Sequence, residues 1–134
     1  MNKKLLLLFA LTFSSFIVLA QEISVSADIR EVKSFGQWSA NEQYGNYRIV
    51  IVNHGYEHVS NTVYLQWIST DNDSYKVIKS IIVSELSKDS FYSVSVKRVE
   101  PEKIILYLVD SHSFEKSELE IIPVELGKYK ANAV

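Results

Sequence analysis

Two runs of β-branched and aromatic residues narrow the possible folds of this chain most: Tyr47 to Val52 and Val63 to Ile68, joined by the polar connection Asn53 to Thr62. Branching at Cβ and planar rings suit a pleated, half-buried surface better than a helix. In the second run Val63, Leu65 and Trp67 share one face, because successive strand side chains point to opposite sides. Trp67 is therefore expected to be the largest single piece of the core. Ile49 to Val52 is apolar on both faces, which predicts a strand inside a sheet rather than at its edge.

The same reading extends along the chain. Ile23, Val25, Ala27 and Ile29 alternate with polar residues, predicting a strand over Glu22 to Val32. Ser34 to Asn46 carries Gly36, Asn41, Gly45 and Asn46 and reads as a loop with an unusual aromatic load. Asp71 to Ser74 is a turn, because Asx side chains bond their own backbone. Tyr75 to Leu86 is rich in β-branched residues, so a strand with a bulge near Lys79 and Ser80 is expected rather than a helix. Tyr92 to Lys97 alternates cleanly. After a turn at Pro101, Ile104 to Val109 is continuously apolar and predicts a second central strand. Leu119 to Leu126 is the last expected strand, at an edge or bulged because Pro123 has no N–H to give to a ladder. Gly127 to Val134 reads as a tail.

These segments predict an all-β chain: an antiparallel β-sandwich of immunoglobulin-like type with about seven strands. A small closed β-barrel is the alternative.

Residues 1–20 read as a signal peptide: Lys3 and Lys4 precede the apolar run Leu5 to Val18, and Ala20 supplies a small residue at the cleavage point. The run is shorter than the ~20 residues a spanning helix needs, so cleavage before Gln21 is expected, with no membrane span afterwards. Residues 21–134 then form one β-sandwich domain. The net charge of −2 falls to about −4 once Lys3 and Lys4 leave, with no basic patch for nucleic acid. The chain has no cysteine, which excludes a disulfide framework and thiolate-bound zinc. A periplasmic or secreted bacterial protein is the expectation, held together by its core alone.

Candidate chemistry is sparse. His54 and His58 flank Gly55-Tyr56-Glu57, and a His-x3-His loop is a metal-site pattern when the chain folds back to bring both rings together. A third ligand is lacking unless Glu57 or His112 supplies it. Asp71-Asn72-Asp73 lacks the glycine and bidentate glutamate of a calcium loop at the required spacing. Asp110-Ser111-His112 holds the residue types of a hydrolytic triad, but neighbours on an extended chain point apart, and no G-x-S-x-G elbow is present. No cofactor and no catalytic residue is expected.

The aromatics in the connections are the stronger signal. Phe35, Trp38 and Tyr44 in the Ser34–Asn46 stretch, and Tyr56 in the His54–His58 loop, are the expected partner-binding residues. The expected function is an exported, non-catalytic binding or accessory domain that recognises a protein or a glycan through its loops. A periplasmic metal-binding protein using His54 and His58 is the second reading, and an enzyme of undetected type the third.

Overall fold

The computed structural model describes residues 25–56 and 59–134. The expected leader falls outside these residues, as do Glu57 and His58. The chain forms β1 (Ile29–Ala40), β2 (Gln43–His54), β3 (Ser60–Ser69), β4 (Lys76–Ile82), β5 (Tyr92–Val99), β6 (Ile104–Asp110), β7 (Lys116–Glu125) and β8 (Lys128–Ala133). Two four-stranded antiparallel sheets, in the orders β1-β2-β3-β4 and β5-β6-β7-β8, pack face to face. The expected sandwich is present, with eight strands rather than about seven. Each sheet is a meander and the chain crosses between them at the β4–β5 connection, whereas an immunoglobulin domain weaves strands between its sheets. The ladders form two separate sheets, not the one closed sheet of a barrel.

The core lies between the sheets. Ile49 and Ile51 from β2, and Val63, Leu65 and Trp67 from β3, meet Val94, Ile104, Leu106 and Ile121 of the second sheet. Trp67 is the largest fully buried side chain, as the alternation requires. The Tyr47 ring stands edge-on to Trp67 at 6.0 Å and lies 5.3 Å from Phe35, so aromatic packing continues into β1. Val83 and Leu86, in the link after β4, close the same cluster.

The local departures have physical causes. Ser34–Asn46 is the tip of a β-hairpin, not a loop. Asn41 and Glu42 both have positive φ (52° and 63°), the geometry of a two-residue turn whose twist matches the flanking strands. Gly36 (φ +58°) sits in a bulge between Phe35 and Trp38, and a Cβ at Gly45 would lie 1.7 Å from the Ile68 carbonyl oxygen. Both glycines thus serve strands rather than loops. Of the strand expected over Glu22 to Val32, residues 22–24 lie outside the described residues, and within them β1 begins at Ile29 and runs on to Ala40.

The 75–86 segment is a strand with its register shift between Val77 and Lys79, followed by a short 3-10 turn. Pro123 sits in β7 beyond the end of its pairing with β6 and next to a register shift, so its missing N–H leaves no gap in that ladder. The expected tail is instead β8, turned back by Gly127 (φ +78°) and paired from Glu125↔Lys128 to Leu119↔Ala133.

The edge of β5 is held by side chains of the first sheet. Asn61, fully buried on β3, accepts the Val94 N–H at 2.7 Å and donates to Asn53 Oδ1 at 2.7 Å. Glu31 accepts the Val96 N–H at 3.1 Å, and Arg30 donates to Ser93 Oγ at 2.8 Å. Amides that would otherwise form an open edge are satisfied, and the start of β5 is fixed in place.

Candidate functional site

The residues expected to bind a partner do not form one surface. Phe35 and Trp38 are 4% and 7% exposed and belong to the core cluster. Their place on a hairpin strand, with the bulge keeping both rings on the inner face, removes them from any exposed platform. The Trp38 indole Nε1–H is shared by the carbonyls of Asn46 (3.1 Å) and Ile68 (3.2 Å), which satisfies the one polar atom of the ring. Tyr44 and Tyr56 are exposed but lie at opposite ends of β2, which spans about 35 Å.

At the hairpin end, Tyr44 is 53% exposed beside a shallow depression of about 390 Å³. Gln37, Ser39, Asn46 and Thr70 line it together with Trp38 and Gly45. The Thr70 N–H donates to the Tyr44 carbonyl at 3.1 Å, tying the link after β3 to the rim.

At the other end, three connections converge. The Ser111 N–H donates to the Phe91 carbonyl at 2.9 Å, and Ser111 Oγ donates to the Val59 carbonyl at 3.1 Å. These bonds join the β6–β7 turn to the start of β5 and to the β2–β3 loop. The connections carry Tyr56, fully exposed, Phe114 at 74% and Phe91 at 45% exposed, with Val59 beside them. The His112 ring meets Phe91 edge-on at 5.1 Å. Phe91 and Phe114 both adopt left-handed backbone geometry (φ 58° and 61°). That region is uncommon for bulky residues and costs about 1–2 kcal/mol each.

Asp110 holds the turn in this shape. Its Oδ1 accepts the N–H groups of His112 (2.8 Å) and Ser113 (2.9 Å), while the Phe114 N–H closes back on the Asp110 carbonyl at 2.9 Å. The Ser113 amide first, then that of His112, holds the Asp110 carboxyl below the usual carboxylate range. Asp110, Ser111 and His112 are thus occupied in building the turn, and Ser111 Oγ is directed at a carbonyl.

His54, the other expected metal ligand in the described residues, bonds through Nε2 to Thr62 Oγ1 at 2.8 Å. His58 lies outside the described residues, among which no group of three or more His, Cys, Asp or Glu side chains is placed to hold a metal ion. Asp71–Asp73 forms a short 3-10 turn, with the Ser74 N–H donating to the Asp71 carbonyl. No helix among the described residues is long and apolar enough to cross a membrane.

Phe91 and Phe114 are the candidates that strand periodicity passes over. Phe114 is an isolated aromatic in the polar run Asp110 to Lys116, and Phe91 follows the polar run Ser87 to Ser90 one residue ahead of the alternation that begins at Tyr92, so no core-facing alternation needs either ring. Comparison with known proteins finds no matching family model, no matching curated protein and no matching solved structure.

Proposed function

We propose that this chain is an exported, non-catalytic binding module, and that it grips a partner protein with the end carrying Tyr56, Phe91 and Phe114. The observation that supports this is the exposure of these rings on connections bonded to one another and seated on a packed sandwich. Exposed aromatics on a preorganised support lose little conformational freedom on binding, and such rings are enriched among residues that dominate interface energies. The left-handed geometry of Phe91 and Phe114 is consistent with this, because backbone strain tends to gather at functional sites. Together with the partly exposed Val59 on the same connections, the rings favour a protein surface over a sugar at this end.

The test is affinity capture from the producing cell with the chain from Gln21 onward, comparing the parent, a Tyr56→Ala/Phe114→Ala variant and a Tyr44→Ala variant. The same protein captured by the parent and by Tyr44→Ala, and lost from the double variant with an unchanged melting temperature, is the expected result. Equal capture by all three would remove this end from the account.

A further inference from the structure

A second binding site lies at the opposite end of the sandwich: we infer that the depression beside Tyr44 is a subsite for a neutral saccharide. This goes beyond the aromatic loop end, because its residues, position and chemistry are different. Five observations carry it.

First, the depression is roomy enough for one or two sugar rings, at about 390 Å³. Second, it is polar without charge: Gln37, Ser39, Asn46 and Thr70 line it, and among the described residues no acidic or basic side chain does. A charged ligand would find no counter-ion here, whereas hydroxyl groups that both donate and accept match amides and hydroxyls of the same dual capacity.

Third, these groups are free to bond. Among the described residues the side chains of Gln37, Ser39, Tyr44 and Thr70 make no hydrogen bond. Asn46 uses its amide nitrogen on the Gly36 carbonyl at 2.7 Å and keeps Oδ1 available. Fourth, Tyr44 presents a half-exposed ring at the rim, an apolar face for the C–H side of a pyranose and a hydroxyl for its edge.

Fifth, the site is preorganised. The bulge at Gly36 re-aims Gln37, the Asn46–Gly36 bond locks that bulge, and the Trp38 indole ties together the β2 carbonyl of Asn46 and the β3 carbonyl of Ile68. Polar groups already fixed in place pay little ordering entropy on binding, which matters for a ligand with few apolar atoms.

The experiment is a titration of isotope-labelled protein with cellopentaose, maltopentaose, chitopentaose and mannopentaose, following the Trp38 indole N–H resonance. A galacturonate pentamer serves as the charged probe. At least one neutral oligomer is expected to shift that resonance saturably below about 10 mM, and Tyr44→Ala is expected to weaken binding about tenfold. Gln37→Ala should weaken it by a smaller factor. The Tyr56→Ala/Phe114→Ala variant, altered only at the other end, should bind the oligomer like the parent, so this site is judged apart from the protein-binding reading. No saturable shift with any neutral oligomer, unchanged affinity in Tyr44→Ala, or tighter binding of the galacturonate would each overturn the inference.

Discussion

The two ends of this sandwich use aromatic residues in opposite ways. At the hairpin end Phe35 and Trp38 turn inward and the indole N–H is fully used, while Tyr44, and Tyr75 on the β3–β4 connection, stay exposed among polar residues. At the other end Tyr56, Phe91 and Phe114 are held in solvent, two of them by a backbone geometry that disfavours them. A ring buried on a strand adds to stability, whereas a ring held out on a strained turn subtracts from it. Clusters of aromatics in sequence therefore do not by themselves locate a binding surface; their strand register does.

The largest expected contrast between the ends is in stability. Trp38→Ala should cost about 3–5 kcal/mol in chemical denaturation, as large-to-small core changes do. Phe114→Ala, at an exposed site, should stay within about 0.5 kcal/mol of the parent. Comparable losses at both positions would erase the distinction drawn here. Asn61→Ala comes next, at about 1–3 kcal/mol, because the buried Val94 N–H and Asn53 side chain lose their partner. Such a change should also loosen the seating of Phe91, read as faster amide exchange along Tyr92 to Val96.

Phe114→Gly sharpens the comparison in the other direction. Glycine takes positive φ without steric penalty, so this variant should be more stable than the parent by about 0.5–1 kcal/mol while losing partner capture. A destabilised Phe114→Gly would mean that the ring contributes packing and is not simply held out.

The smallest effect is in the pH dependence. The Asp110 carboxyl titrates lower in the folded chain than in the unfolded one, so the unfolded state binds the extra proton as pH falls. Stability from this group is fully present above the ordinary carboxylate pKa of about 4 and is lost as pH drops through the lower folded value. Asp110→Asn should therefore show a shallower loss of stability on acidification, with the difference from the parent closing at low pH. An identical acid profile would mean that the turn does not depend on the carboxylate.

How much of this was legible beforehand varies by segment. β2, β3, β5 and β6 declare themselves by alternation or by continuous apolar runs, and Trp67 was placed in the core by its face alone. β8 was not, because Lys128 to Ala133 offers only Tyr129 and two alanines as an inner face, and pairing with β7 makes it a strand. The Ser34–Asn46 hairpin was hidden by its glycines, one a bulge and one a close approach to Ile68, which look like loop punctuation until the register is known. At the candidate sites Tyr44 and Tyr56 are exposed, but their separation along β2 depends on that same register. Phe91 and Phe114 escape a reading by periodicity because the left-handed backbone geometry at each leaves no periodic trace.

The most direct test of the central claim is site-resolved photo-cross-linking in the producing cell. A benzophenone amino acid would replace Tyr56, Phe114, Tyr44 or, as a control on the outer face of the first sheet, Ser80. The account predicts one discrete protein adduct from positions 56 and 114 and none from 44 or 80. An adduct that forms equally from 80, or only from 44, would contradict it.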